Sequence, residues 1–314
     1  MRDLVRNITP PVKGIALAFL ATLGMANVYV FSKAALLEVK YFQFQFYWFA
    51  FALLWILPFL AITGMIKRIP ALSRASRITL VVIGLLELGA ATLMFLAIQL
   101  AENPATISFL SNLTPIFVTI FGIRFLGERF NAVEAGGIIL TIGGVILITY
   151  TRDTTLREFF GGGSGWILVS SVLSSISIVT AKSRIADIHP GILTLNRVIF
   201  LFLFALGAVI VRHESIVVSG RALFNMGAGA LVGPFLTGFA QYSALRFIEA
   251  SRTMIIQSTR SLFVLVGSMI YLSILPETLQ LIGGLITILG VIVLIWGKMR
   301  YQRPAGRTKK KAET

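Results

Sequence analysis

Two ionisable residues lie in the middle of long apolar stretches of this sequence. Glu87 stands in VIGLLELGAATLM, and Arg260 stands in IIQSTRSLFVL. A charged side chain at the centre of a bilayer costs about 2.5–3.5 kcal/mol, so it has to face the protein interior or water. The forked guanidinium of Arg260 can bind a carboxylate through two hydrogen bonds, and the carboxylate of Glu87 can accept an ammonium group. The pair therefore predicts a binding site for a zwitterion such as an amino acid.

The same two residues allow other interpretations. Glu87 can carry a coupling proton, because burial disfavours the charged form of a carboxyl group. Alternatively, Glu87 and Arg260 form a structural salt bridge with each other, since buried charges are usually paired. A salt bridge that the substrate breaks would combine the structural and the substrate-binding roles.

Six further polar residues are candidate substrate ligands. They are Asn27, Asn112, Arg197, Gln241, Tyr242 and Gln257. The two asparagines lie near mid-depth, where an amide can bind either a substrate or a neighbouring helix. Arg197 lies nearer the end of its span, from which a long basic side chain can also reach the lipid headgroups. The two glutamines and the tyrosine are expected at the rim of a cavity.

The stretches that carry these residues are long enough to cross a membrane. A spanning helix needs about 20 mostly apolar residues. The predicted fold is an all-α membrane protein with ten transmembrane helices. The ten apolar stretches cover residues 13–36, 41–63, 77–100, 103–123, 131–150, 164–185, 191–211, 222–245, 250–273 and 278–297.

Composition excludes several other protein classes. Of the 314 residues, 56% are hydrophobic and 13% are charged, and the mean hydropathy is +0.87. A soluble domain carries roughly 25% charged residues, so a soluble enzyme, a secreted domain and a disordered protein are excluded. The absence of cysteine excludes a disulfide framework and a thiolate metal site. His189 and His213 are far apart in the sequence, so no metal or other cofactor is expected.

The sequence divides into two similar halves of five spans each. The expected units are residues 13–150, residues 164–297 and a basic tail at 298–314, with a glycine-rich joint before residue 164. Glu102, Gly136 and Gly143 recur 147 positions later as Glu249, Gly283 and Gly290, and Lys33 recurs 149 positions later as Lys182. Because five is an odd number, two such halves lie in opposite orientations. This is an inverted-topology repeat.

Basic residues set the expected orientation. With both termini on one side, 20 of the 28 Lys and Arg residues fall on that side and 6 fall on the other. The positive-inside rule then predicts cytoplasmic termini in the inner (cytoplasmic) membrane of a cell. The net charge of +15 is explained by topology and by contact with the lipid bilayer, so nucleic acid is not an expected partner. Paired glycines in spans five and ten are typical of close helix packing, within a monomer or a homodimer.

Three segments carry a resemblance to a known family. FLGERFNAVEAGGIILTIGGVILI (125–148), NPATISFLSNLTPIF (103–117) and LPETLQLIGGLITILGVIVLI (275–295) resemble the EamA domain of the drug/metabolite transporter superfamily. The resemblance covers the chain as two consecutive EamA repeats. It implies a ten-helix carrier with a central substrate cavity, and commonly export of amino acids or other small metabolites.

The chain departs from the family pattern at two places. Family members often have a Trp-Gly pair in the first span, where this sequence has Met25-Ala26. They also often have an arginine near the start of the second span. The second half has this arginine at Arg197, whereas the first half has Tyr47-Trp48.

The predicted function is secondary-active or facilitative transport of small polar metabolites. We expect export of amino acids or related zwitterions by alternating access, with protons as a candidate coupling ion. The sequence has no phosphate-binding loop, nucleotide fingerprint or catalytic triad, so it is not expected to be an enzyme. An intramembrane enzyme would need a nucleophile or a metal site at depth. The remaining alternatives are a carrier of a quaternary amine, a nucleotide sugar or a lipid-linked compound, and a membrane scaffold without transport activity.

Overall fold

The structure is a computed structural model that describes residues 9–101, 104–149, 163–273 and 278–301. All regular elements in these ranges are helical, which confirms the all-helical expectation for this part of the chain. A 3₁₀ turn covers Met65–Arg68, and a π-helical segment covers Leu231–Thr237. The α-helices are α1 (Pro10–Leu36), α2 (Tyr41–Ile62), α3 (Arg74–Leu100), α4 (Pro104–Leu110), α5 (Leu113–Leu126), α6 (Ala132–Thr149), α7 (Ser164–Ser183), α8 (Pro190–Val211), α9 (Gly220–Ala230), α10 (Gly238–Ala244), α11 (Ala250–Gln257), α12 (Arg260–Leu272) and α13 (Thr278–Tyr301).

Length and hydropathy identify the membrane-spanning helices. The fourth and fifth predicted stretches contain the shorter apolar helices Leu113–Leu126 and Ala132–Gly144. Among the described residues, eight segments are long and apolar enough to cross a membrane, namely Pro10–Leu36, Tyr41–Ile62, Arg74–Leu100, Gly165–Ser183, Pro190–Val211, Gly220–Ala244, Ala250–Tyr271 and Leu281–Arg300. The described residues thus have the helices of a multi-pass membrane protein, and the count of ten spans remains a prediction.

The fourth and ninth stretches are interrupted at corresponding positions. Regular α-helical structure is interrupted by a turn at 111–112, between α4 and α5, and again at 258–259, between α11 and α12. These intervals are related by the same offset of 147 that relates the two halves of the sequence. The interruptions face one another, since Asn112 donates a hydrogen bond to Ser261 Oγ at 2.6 Å. Broken helices of this kind surround the substrate sites of many carriers.

A pair of lysines makes the same contact in each half. Lys33 Nζ donates to the Ile98 carbonyl at 3.4 Å near the end of α3, and Lys182 Nζ donates to the Leu245 carbonyl at 2.6 Å just after α10. A cation near the last carbonyls of a helix compensates the negative end of its dipole. The sequence repeat is therefore also a repeat of tertiary contacts.

Close packing of α6 on α13 requires glycine. A Cβ atom on Gly137 would lie 2.6 Å from a backbone nitrogen of α13, and one on Gly290 would lie 2.4 Å from a backbone nitrogen of α6. By contrast, a Cβ atom on Gly136 or Gly143 would have no neighbour within 4 Å. The tight glycine face thus serves packing within one chain.

Some of the sequence predictions fall outside the described residues. They concern Glu102, the glycine-rich joint at 150–162 and residues 302–314 of the basic tail.

Candidate functional site

A polar cavity lies between the two halves. Helices α1, α3 and α5 of the first half and α7, α8, α10, α11 and α12 of the second half contribute to its wall. The wall brings together five of the eight candidate residues, which are Glu87, Arg197, Gln241, Gln257 and Arg260.

Glu87 is paired with Arg197 rather than with Arg260. Glu87 lies in the middle of α3 and is only 4% exposed. One carboxylate oxygen lies 3.0 Å from Arg197 Nε on α8, and the other accepts a hydrogen bond from Ser177 Oγ on α7 at 2.7 Å. The interpretation of Glu87 and Arg260 as a mutual salt bridge is therefore wrong. The interpretation of Arg197 as a headgroup anchor is wrong as well, because its guanidinium reaches Glu87 in the cavity wall.

Arg260 is held at the interruption of the fourth stretch. It is the first residue of α12 and is 3% exposed. Its Nη2 donates to the Ser111 carbonyl at 3.0 Å and to Ser111 Oγ at 2.7 Å. Tyr29 on α1 donates to the same hydroxyl at 2.9 Å. These contacts fix the position of the guanidinium, which keeps further donors for a ligand.

Three buried donors in the cavity wall have no hydrogen-bond partner among the described residues. One is Nε of Arg197, which faces Glu87 as an ion pair at 3.0 Å. The other two, Nε of Arg260 and Nε2 of Gln257, have no such counter-charge. Gln257 ends α11 and is 1% exposed, and only the two-residue interval separates it from Arg260. Buried polar groups are nearly always hydrogen-bonded. This part of the wall is therefore suited to an acceptor such as a carboxylate group.

Three candidates do not line the cavity. Asn27 is exposed, and its side chain donates to the Leu23 carbonyl of its own helix at 2.9 Å. Asn112 is buried and is bonded to Ser261, so it joins the two helix interruptions. Tyr242 is 1% exposed and packs in a buried cluster with Met254, behind the cavity wall.

Several serines of α7 line the cavity or hydrogen-bond a residue of its wall, and sequence analysis did not identify them. Ser170 donates to the Ala90 carbonyl at 2.6 Å, and Ser177 donates to Glu87. Ser174 also lines the cavity. The spacing of these serines, at i, i+4 and i+7, places them on one face of a helix. That periodicity is the signal that would have found them.

The sequence Leu-Gly-Glu at 126–128 anchors the helix that carries Gln257. The Glu128 carboxylate accepts hydrogen bonds from the backbone nitrogens of Ala250 at 2.8 Å and Ser251 at 3.2 Å. These are the first residues of α11, where a carboxylate satisfies free N–H groups and complements the helix dipole. A residue of the first half thus positions a wall helix of the second half.

A second charged cluster lies on the side of the protein where α1 begins and α13 ends. Arg252 Nε is 2.7 Å from Glu134 Oε1, and Arg252 Nη1 is 2.6 Å from Glu249 Oε1. Lys298 also donates to Glu249. Burial raises the pKa of Glu249, but the hydrogen bond from Lys298 and the charges of Arg252 and Lys298 lower it more, so the net shift is downward. This cluster ties α11 to α6 and α13.

Sequence comparison identifies relatives across both halves. The model of the EamA-like transporter family matches residues 12–150 and 161–296. Two WAT1-related proteins of Arabidopsis thaliana are each 24% identical to this chain. The first aligns over 308 residues, which is 85% of either protein, and the second aligns over 315 residues, which is 89% of this chain and 84% of the relative. An uncharacterized transporter of Archaeoglobus fulgidus is 27% identical over 195 residues, or 60% of this chain and 66% of that protein.

The fold also matches a solved structure. One protein crystal structure superposes with a TM-score of 0.72 at 15% sequence identity, and the match covers 92% of this chain and 99% of the other. At this identity the match concerns the fold alone.

Proposed function

The chain belongs to the EamA-like transporter family, and from that premise we propose that it is a carrier of small polar metabolites that bear a carboxylate group. The family membership supports transport of a small molecule across a membrane. It favours a carrier over an intramembrane enzyme or a scaffold. The nature of the substrate is inferred from the cavity.

The observation that carries the proposal is the donor pair of Arg260 and Gln257. Leaving a buried donor unpaired costs about 1–3 kcal/mol, and more for a charged group. A carboxylate in front of Arg260 Nε and Gln257 Nε2 would satisfy both donors. Charge-assisted bonds from arginine to carboxylate are also among the stronger hydrogen bonds in proteins. A quaternary amine offers no acceptor to these groups.

Amino acids and related zwitterions belong to the proposed substrate class. Their carboxylate would bind Arg260, and their ammonium group would have to displace Arg197 from Glu87. The salt bridge would then be the substrate-sensitive contact. The inverted repeat provides two related arrangements of the halves, which is the basis of alternating access. We propose export across a cytoplasmic membrane with both termini inside, as the distribution of basic residues favours.

Counterflow in proteoliposomes tests the proposal. The purified chain is reconstituted, loaded with a mixed panel of carboxylates, amines and sugars, and efflux is read by mass spectrometry with and without a proton gradient. We expect flux of a carboxylate that the Arg260→Gln variant loses. The matched control is Arg221→Gln, because the Arg221 side chain is 78% exposed and lies outside the cavity. Flux of only amines or sugars, or carboxylate flux that Arg260→Gln leaves intact, would contradict the proposal.

A further inference from the structure

The charges in the cavity wall do not balance. Among the described lining residues, the groups that are charged at neutral pH are Glu87, Arg197 and Arg260. Glu87 and Arg197 neutralise one another across 3.0 Å. Among the residues that the structure describes, Arg260 is bonded to the neutral carbonyl and hydroxyl groups of Ser111 and to no carboxylate. The wall therefore carries one net positive charge, which is that of Arg260. The unpartnered donors Arg260 Nε and Gln257 Nε2 belong to this guanidinium and to a residue three positions before it.

The carboxylate of Glu87 is already fully engaged. Arg197 approaches one oxygen and Ser177 donates to the other. An ammonium group that bound Glu87 would have to separate this buried pair and leave the Arg197 guanidinium without its counter-charge. A buried charge whose partner is removed is strongly destabilised. An ammonium group on the substrate thus has no prepared place in this cavity.

The geometry points to an organic monoanion, a small carboxylate without an ammonium group, as the ligand that this cavity binds in preference to a zwitterion. This inference rests on the proposed carboxylate carrier and narrows its substrate class. The anion would neutralise the single excess charge at Arg260 and would satisfy Gln257. It would leave the Glu87–Arg197 pair intact.

A matched set of three ligands tests the charge preference. Leucine has both charged groups, isocaproate lacks the ammonium group of leucine, and isoamylamine lacks the carboxylate group. Calorimetric titration of the full chain in detergent measures the three dissociation constants. We expect isocaproate to bind at least about tenfold more tightly than leucine, the effect of one charged hydrogen-bonding group, and isoamylamine to show no saturable binding. Tighter binding of leucine than of isocaproate would overturn the inference.

Substitution of Glu87 separates the two substrate classes. If Glu87 only balances Arg197, Glu87→Gln adds net positive charge to the cavity and tightens isocaproate binding. If Glu87 binds an ammonium group, the same change weakens leucine binding, and this result would contradict the inference. Because Glu87→Gln also leaves Arg197 unpaired, the double variant Glu87→Gln/Arg197→Gln serves as a second test. It should still bind isocaproate more tightly than leucine, and a reversed order would overturn the inference.

Different results would contradict the preference for a monoanion and the proposed carboxylate carrier. Preference for leucine, lost in Arg260→Gln, would overturn the monoanion and retain the carboxylate carrier. Equal binding of isocaproate by the native chain and by Arg260→Gln would contradict both. Arg221→Gln is again the control, and its affinity for isocaproate should equal that of the native chain.

Discussion

The two halves repeat one fold, but corresponding crossings of helices carry different chemistry. Helices α2 and α8 are both 22 residues long and begin 149 positions apart, so Trp48 corresponds to Arg197. The offset of 147 makes Pro234 the counterpart of Glu87. The buried ion pair at the crossing of α3 and α8 is therefore replaced, at the crossing of α2 with α9 and the π-helical segment, by close approach of Trp48 to Gly229 and Gly233.

The apolar crossing is closely packed. Trp48 is fully buried, and its ring centroid lies 5.0 Å from that of Phe44 and 5.8 Å from that of Phe95. A Cβ atom on Gly229 would lie 2.3 Å from the Trp48 ring, and one on Gly233 would lie 3.4 Å from it. The symmetry of the fold thus determines where helices cross, whereas individual residues determine which crossing can bind a charged group.

The largest effect is expected from removing the cation of the polar crossing. Arg197→Leu buries Glu87 without a counter-charge, and removing one partner of a buried ion pair costs about 3–5 kcal/mol of unfolding free energy. Denaturant titration of the detergent-solubilised protein measures this loss. The double variant Glu87→Gln/Arg197→Leu, which removes both charges, should recover most of it. A double variant as unstable as Arg197→Leu would attribute the loss to packing and contradict the role of the pair.

The lysine contacts test the part of the comparison that is symmetric. Lys33→Met and Lys182→Met each remove a cation from the carbonyls that end a helix, while the methionine keeps a long apolar side chain. We expect losses of unfolding free energy of about 1.5–3 kcal/mol, typical of hydrogen bonds to a charged group, in the same titration. The two losses should agree within about 1 kcal/mol, since measured contributions vary with context. A large loss in one half and none in the other would show that the contacts are not equivalent.

A smaller effect is expected from crowding the apolar crossing. Gly229→Ala places a methyl group against the Trp48 ring, and overpacking of this kind costs about 1–3 kcal/mol. Gly227→Ala is the matched control, because a Cβ atom there meets nothing within 4 Å. The control should keep or slightly raise the unfolding free energy, since alanine favours the helix over glycine. Equal unfolding free energies of the two variants would mean that the Trp48 ring moves aside at little cost.

The sequence predicts the helices and the burial of Glu87 and Arg260. Apolar stretches of spanning length leave few alternatives to a helix, and an isolated charge within them has to face the interior. Glu87, Arg260, Gln241 and Gln257 accordingly lie along one cavity in the structure. The departure at Tyr47-Trp48 from the family's arginine also marks the position where the two crossings differ.

The pairing of the charges is beyond sequence analysis. Depth along a helix follows from residue number, but the direction of a side chain depends on how the helix is rotated against its neighbours. Asn27 lies near mid-depth and yet is exposed. By their positions in the sequence, Glu87 could pair with Arg197 or with Arg260. In the structure α3 packs against α8, and Glu87 pairs with Arg197. Such contacts are fixed by packing across the two halves.

The smallest expected effect concerns the charged cluster around Glu249, in which Arg252 corresponds to Ala105 of the first half at the offset of 147. Because the pKa of Glu249 is lowered in the folded chain from its ordinary value of 4.5, its carboxylate stabilises the fold above that pH. This contribution is lost as the pH falls through the lowered pKa. A loss of about 0.5–1 kcal/mol is expected, because a side chain that is 31% exposed is partly screened by solvent.

Unfolding free energies measured between about pH 6 and about pH 3 check this sign. Glu249→Gln should remove part of the acid-induced loss by lowering stability at the higher pH. The control Glu38→Gln removes a carboxylate that is 3.5 Å from Arg221 on the opposite side of the protein. This variant should show the same acid-induced loss of unfolding free energy from Glu249 as the native chain. If both variants changed the pH dependence equally, the acid sensitivity would belong to surface charge in general. A change confined to Glu249→Gln would locate it at the start of α11, where Arg252 and Lys298 pair with Glu249.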